Sequence, residues 1–255
     1  MARAAVSGRL VGGRLTWRGA RLVERRDETP NARTLVFEVP AWPGHLVGQH
    51  VDVRLTAEDG YQAVRNYSLA APSDADLVAL TVQRVPDGEV SPYLTEGLSI
   101  GDSVELRGPL GGWFVWRPTE RDPVLLVAGG SGIVPLMAMV RARRSAGSRV
   151  PFRLVYSVRT PQDTCYADEL RVPRAGDGGL DVSYLFTRTA PDGVARAAAR
   201  IGLADVNSGG WPAEFEPNCF VCGPTGFVET VADILVALGH DARRVKTERF
   251  GPSGG

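Results

Sequence analysis

Val124-Leu125-Leu126-Val127-Ala128-Gly129-Gly130-Ser131-Gly132-Ile133-Val134-Pro135 passes from five apolar residues to three glycines in four positions, then to a proline. A continuous apolar run of that length is a strand buried on both faces, as in a parallel sheet. Glycines after it let the chain turn tightly and bring backbone N–H groups close to an anion, and a helix start adds its positive end. Pro135 suits the first helical turn, where its missing donor costs nothing. The order is not the Rossmann Gly-x-Gly-x-x-Gly, and no acidic residue stands where that fingerprint requires one.

Downstream the same grammar repeats. Apolar runs begin at Phe152, Val182 and Cys219, with helical patterns over 135–146, 163–170 and 227–238. Strands alternating with helices predict an α/β domain with a parallel sheet. The stretch 205–217 reads as a surface loop. Upstream of about residue 118 the period is two: Val51, Val53 and Leu55 alternate with polar neighbours, as do Leu35, Phe37 and Val39. About six short strands with one helical stretch near 91–98 predict an antiparallel β-barrel. Asp59-Gly60, Pro86-Asp87-Gly88 and Gly101-Asp102 read as hairpin-type turns between strands. The expected division is a barrel domain over 1–118 and a nucleotide-type α/β domain over 119–255, joined near Arg117-Pro118.

Composition narrows the function classes. Lys plus Arg and Asp plus Glu are both 29, so no bulk charge points to nucleic acid. No apolar run approaches the roughly 20 residues of a membrane span. The start, Met1 to Leu15, has no apolar core of a secretory signal, and three cysteines form no disulfide framework. Cytoplasm is the expected compartment. Cys219 and Cys222 are three steps apart on one strand and so face opposite ways, which argues against a redox pair or zinc site.

Several short motifs carry ligand chemistry. In Arg65-Asn66-Tyr67-Ser68 the guanidinium suits a pyrophosphate, the phenol offers a stacking surface, and the hydroxyl can reach a ring nitrogen. Gly88-Glu89-Val90-Ser91 reads as a phosphate-binding helix start with Ser91 as N-cap. Ser157-x-Arg159 and Thr187-Arg188 end neighbouring parallel strands, where a ligand crevice forms, and a hydroxyl beside a guanidinium suits a 2′-phosphate. Cys222-Gly223-Pro224 ends a fourth strand at the same edge. Taken singly, each is an ordinary turn, cap or solvated arginine; their order within one chain is what carries weight.

That order resembles the ferredoxin-NADP reductase superfamily over nearly the whole chain. The resemblance implies FAD held between the two domains and NADPH, or NADH, as hydride donor. Arg65, Gly88, Val90 and Ser91 would then hold flavin phosphates, Tyr67 would flank the flavin ring, and Ser68 would bond near its N5. Gly129, Gly130, Gly132 and Pro135 would shape the dinucleotide site, with Ser157, Arg159, Thr187 and Arg188 at its adenosine end. Cys222, followed by Gly223 and Pro224, would pack near the reacting nicotinamide carbon. Glu248-Arg249-Phe250 is similar to a C-terminal acidic-aromatic segment that approaches the flavin. Val134, Phe227 and a non-terminal Phe250 depart from the family pattern. No four-thiolate set for a [2Fe–2S] cluster is present, so the implied protein is a bare reductase module. Its implied acceptor is a separate redox protein: a ferredoxin, an oxygenase, a haem protein or a molybdenum enzyme. The alternatives are an FMN enzyme, a reductase of ferric complexes or quinones, and a non-catalytic flavin- or nucleotide-binding subunit.

Overall fold

The computed structural model describes residues 15–171 and 179–251. The reading of Met1 to Leu15 as lacking a signal therefore falls, but for its last residue, outside the described chain. Six antiparallel strands come first: β1 (Trp17–Thr29), β2 (Ala32–Glu38), β3 (His50–Thr56), β4 (Gln62–Ser68), β5 (Leu77–Gln83) and β6 (Ser103–Leu110). Their order is β4-β3-β6-β1-β2-β5, and a bridge between Leu69 and Leu80 brings the two edges together. Closure removes the exposed edges that an open sheet would offer to other chains. Inward residues such as Leu22, Leu35, Phe37, Val51, Val53, Leu80 and Leu106 pack together as the buried core of the barrel.

Five parallel strands follow: β7 (Val124–Gly129), β8 (Phe152–Val158), β9 (Leu180–Phe186), β10 (Asn218–Pro224) and β11 (Val245–Phe250), in the order β11-β10-β7-β8-β9. Helix α1 (Ile133–Ser145) follows β7 and α2 (Ala167–Arg171) follows β8. Helix α3 (Leu203–Gly209) precedes β10 and α4 (Thr225–Ala237) follows it. Along β7, Val124, Leu126 and Ala128 pack with α1 on one face, while Leu125 and Val127 pack with Val206, Val228 and Val231 on the other. Both faces are dry, which is why the sequence is apolar throughout. No helix among the described residues is long and apolar enough to cross a membrane. Residues 111–123 connect the sheets. Phe114 meets Phe220 edge-on at 5.4 Å and Trp116 meets Phe152 at 5.0 Å, so the connection is packed down rather than free. Each such pair contributes about 0.5–1.5 kcal/mol beyond its burial.

Four readings need correction. Residues 205–217 are not a loop: α3 occupies 203–209, with Asp205 accepting from the Gly202 N–H at 2.8 Å, and a helical turn follows at Ala213–Phe215. Only Val206 of α3 is buried, too little periodicity to announce a helix. The expected helix over 163–170 is split into a turn at Pro161–Asp163 and the short α2, because Tyr166 takes a left-handed φ of 58°. Asp59-Gly60 does join paired strands, β3 and β4. Pro86-Asp87-Gly88 and Gly101-Asp102 instead lead into and out of the helical turn Tyr93–Gly97. Ser91 does not cap that turn: its hydroxyl accepts the Val85 N–H at 3.0 Å, tying the turn back to the end of β5.

Candidate active site

In the parallel sheet the chain proceeds from β7 outward through β8 to β9, then returns to place β10 and β11 on the other side. The strand order reverses between β7 and β10, and ligands of such sheets bind in the crevice outside the strand ends at that point. The two βα turns that meet there are 129–132 and 222–225. A Cβ on Gly132 would lie 2.1 Å from the Cys222 carbonyl oxygen, and one on Gly129 or Gly223 would lie 2.7 Å from the Phe227 ring. Those three glycines are therefore demanded by packing. Gly130 differs. Its φ is 54° and nothing stands within 4 Å of a Cβ position, so its left-handed backbone faces open space.

The crevice is a cleft of about 200 Å³. It gathers Gly129, Gly130, Ser157, Arg159, Thr187, Pro224 and Phe250 from the expected set. Ser131, Val158, Asp163 and Phe227 also line it, and Gln83 contributes a wall from the barrel. Gly132, Pro135, Cys222 and Gly223 are buried beneath its floor. Arg188 does not line it: the side chain is exposed, and only its N–H, donating to the Arg159 carbonyl at 2.9 Å, ties it to the strand end. Burial pushes the Cys222 thiol well above the ordinary range, with Glu248 adding to the effect, so the sulfur is a neutral packing group and no nucleophile.

A second group joins the barrel to the parallel sheet. Ser68, at the end of β4, donates from Oγ to Glu248 Oε1 at 3.5 Å, and His50 Nδ1 lies 3.9 Å from the same oxygen. Glu248 on β11 stands in register with Cys222 on β10. Ser68 and Cys222, 154 positions apart in the sequence, are thus gathered around one carboxyl. Burial raises that carboxyl to about 7, against a smaller opposing effect of the Ser68 bond, and its Oε2 is buried without a partner. An orphaned buried acceptor calls for an explanation, and a ligand donor is the simplest. Burial lowers the His50 pKa, with Asp52 opposing. Tyr67 is half-buried against the barrel core, and burial pushes its phenol up to about 12. The sequence named Ser68 and Cys222, and placed Glu248 in a segment expected to approach the flavin, but gave His50 no role.

A third group lies on the barrel's outer side. Arg65 Nη2 donates to Glu89 Oε2 at 2.9 Å, and Tyr61 Oη donates to Glu89 Oε1 at 2.9 Å, which brings Arg65 beside the turn 88–91. No described residue accepts from the N–H groups of Glu89, Val90 and Ser91. Val90 itself is buried in the barrel core, so only its backbone can meet a ligand. A guanidinium beside three unclaimed N–H groups is chemistry that suits a phosphate or pyrophosphate, which would have to displace Glu89 from Arg65. Among the described residues no group of His, Cys, Asp and Glu is arranged to hold a metal.

Comparison with known proteins follows the same division. Residues 19–115 match the oxidoreductase FAD-binding domain family and residues 126–233 the oxidoreductase NAD-binding domain family. Over 212 residues the chain is 34% identical to the ferredoxin–NAD(P)(+) reductase component of naphthalene 1,2-dioxygenase/salicylate 5-hydroxylase systems of Ralstonia sp, covering 81% of this chain and 61% of that protein. It is 32% identical over 235 residues to the glycine betaine monooxygenase reductase subunit of Chromohalobacter salexigens, covering 91% and 63%. The chain thus spans under two thirds of the length of these relatives. The flavohem-like FAD/NAD-binding domain of nitric oxide dioxygenase from Vibrio cholerae superposes with a TM-score of 0.82 at 26% identity, covering 92% of this chain and 99% of that one. With an FAD-binding barrel joined to an NAD-binding parallel sheet along most of its length, the chain belongs to the ferredoxin-NADP reductase superfamily.

Proposed function

We propose that this chain is a flavoprotein reductase that takes hydride from a nicotinamide dinucleotide onto FAD and hands electrons to a separate redox protein. The observation that carries the reading is the meeting of Ser68 from the barrel with Glu248 and Cys222 from the parallel sheet, at the edge of a dinucleotide-type cleft. The residues fit FAD: Arg65 and the N–H groups of 89–91 would hold its pyrophosphate, Tyr67 would flank its ring, and Ser68 would face N5. When bound, FAD supplies the conversion of a two-electron hydride into single-electron steps.

Everything else falls to the protein. The N–H groups of 130–132 and the start of α1 would receive the dinucleotide's own pyrophosphate. The sheet order then lays the nicotinamide toward β10 and the adenosine toward β8 and β9. Cys222, Gly132 and Gly223 make a rigid floor, which matters because donor and acceptor atoms must meet at about 3–3.5 Å in the right orientation. Ser68 and Glu248, whose carboxyl burial raises to about 7, form a pair able to hold or release a proton where the barrel meets the sheet. Phe250 and Phe227 would restrict water.

NADPH is the preferred donor in this reading. Arg159 and Arg188 stand at neighbouring strand ends, and neither guanidinium pairs with a carboxylate among the described residues. Asp163, lining the cleft beside Arg159, offsets part of that charge. The acceptor is a redox protein such as a ferredoxin, an oxygenase, a haem protein or a molybdenum enzyme, a role supported by relatives named as reductase components of oxygenase systems. Three free, buried thiols fit a reducing compartment such as the cytoplasm. Chromatography of the flavin released on denaturation tests the cofactor: FAD is expected, and FMN alone refutes the assignment. Comparable kcat/KM for NADPH and NADH would refute the nucleotide preference.

A further inference from the structure

One buried hydrogen-bond circuit ties the cleft to the barrel, and no step of the proposed reaction uses it. The Tyr166 hydroxyl donates to Thr81 Oγ1 at 2.5 Å. Thr81 and Thr34 share a bond of 2.7 Å, and Thr34 Oγ1 also donates to Glu28 Oε1 at 2.6 Å. Because the Thr34 proton goes to the carboxylate, Thr81 must be the donor between the two threonines. The other Glu28 oxygen accepts the backbone N–H of Tyr166 at 3.3 Å, which closes the loop. Thr34, Thr81 and Tyr166 are 1%, 6% and 4% exposed. Each hydroxyl in such a dry chain is polarised by the next, and the row ends on a charge.

Tyr166 is held from its other side as well. Arg141 of α1 places its guanidinium 4.7 Å from the ring centroid, pairs with Glu169 at 2.6 Å, and donates to the barrel's Ala70 carbonyl at 2.7 Å. The residue adopts φ 58°, a left-handed backbone that a bulky side chain keeps only where its surroundings hold it. That kink separates α2 from the turn Pro161–Asp163. Arg159 and Asp163, in the segment before it, line the cleft from the parallel-sheet domain, and Gln83 lines it from the barrel. Gln83 lies on β5 two residues from Thr81, on the same side of the strand. The Tyr166–Thr81 bond therefore ties together the two stretches of chain that supply these lining residues.

We infer that Tyr166 is a positioning residue for the nicotinamide dinucleotide, clamping the wall that carries Arg159 and Asp163 to the barrel wall that carries Gln83. The inference rests on the reading of this cleft as the dinucleotide site. It makes adenosine-end affinity, and not flavin affinity or hydride transfer, the property that the clamp controls.

The test uses the flavin-loaded protein and Tyr166→Phe, which keeps the ring, its cation contact and the backbone bond while removing one hydroxyl. ADP-ribose, which lacks nicotinamide, is titrated calorimetrically. Its binding should weaken about threefold to tenfold, the scale of one buried hydrogen bond. KM for the dinucleotide should rise by the same factor while kcat and FAD affinity stay unchanged. Thr81→Val, which removes this bond and the one to Thr34, should weaken ADP-ribose at least as much, and the double variant should be no worse than Thr81→Val alone, because the Tyr166 bond is already lost in it. Unchanged ADP-ribose binding in Tyr166→Phe, with only a lower Tm, would reduce Tyr166 to domain packing and overturn the inference. Wild-type protein that bleaches its flavin with NAD(P)H yet ignores ADP-ribose would also overturn it. Wild-type protein that does neither would remove the functional reading on which it stands.

Discussion

Gly132→Ala should damage this protein out of proportion to the one methyl group it adds. The new Cβ would fall 2.1 Å from the Cys222 carbonyl oxygen, 2.4 Å from its carbon and 2.8 Å from the Gly223 nitrogen. Those are backbone atoms of β10, which is bonded in register to β7 on one side and β11 on the other, so they cannot swing aside. The turn 130–132 and the first turn of α1 must instead lift by roughly 1.3 Å or more to reach ordinary contact. Overpacking of this kind costs about 1–3 kcal/mol of stability. A misplacement of about 1 Å in a positioning element costs on the order of 10²-fold in rate. Gly130→Ala supplies the contrast. Its methyl would meet nothing within 4 Å, so it carries only the left-handed strain of about 1–2 kcal/mol. The assay is anaerobic stopped-flow reduction of the bound flavin, with FAD stoichiometry and Tm measured alongside. Gly132→Ala should retain FAD and be reduced far more slowly than Gly130→Ala. Reduction of Gly132→Ala at the wild-type rate would refute the view that the Gly132–Cys222 contact sets the cleft.

Further outcomes follow from the other two groups. Arg65→Ala should weaken FAD retention by about 1.5–3 kcal/mol, the cost of a charge-assisted contact, whereas Arg188→Ala should leave it unchanged; equal flavin occupancy would count against the placing of Arg65. Arg159→Ala, at the strand end that lines the cleft, should instead raise KM for NADPH about tenfold or more with NADH little affected, read from steady-state kinetics. Cys222→Ser should keep its flavin and be reduced more slowly, because the sulfur is floor and not reactant, and an unchanged rate would return Cys222 to ordinary core packing. Glu248 gives a pH signature in the flavin-free chain. Its folded pKa of about 7 exceeds the ordinary 4.5, so the folded state binds more protons between those values and loses stability as pH rises through them. Relative to Glu248→Gln, wild-type Tm should fall from pH 5 to pH 8, with His50 common to both proteins; parallel curves would contradict the raised pKa.

The features legible in the sequence are those that backbone geometry forces on residue type. Gly129, Gly132 and Gly223 admit no side chain, β7 is apolar because both its faces are covered, and Cys219 and Cys222 face opposite cores as their spacing requires. What escaped notice depends on partners distant in the chain. The strand β11 is polar and lies at the sheet edge, so Val245-Lys246-Thr247-Glu248 shows no apolar run. Ser68 and Glu248 are 180 residues apart, and no local pattern links them. The left-handed Tyr166 looks like any helical aromatic until Glu28, Thr81 and Arg141 are seen around it. Arg188 reads like Arg159 in sequence, yet only the latter lines the cleft.

The central claim is that nicotinamide and flavin meet at the Ser68–Glu248–Cys222 junction. Its most direct measurement is anaerobic mixing of FAD-loaded protein with NADPH deuterated at C4 of the nicotinamide. Single-turnover bleaching of the oxidised flavin absorbance is expected, slowed by a primary deuterium isotope effect in one of the two C4 stereoisomers only, as direct transfer in a fixed geometry requires. Flavin that stays oxidised in the presence of excess NADPH and NADH would contradict it.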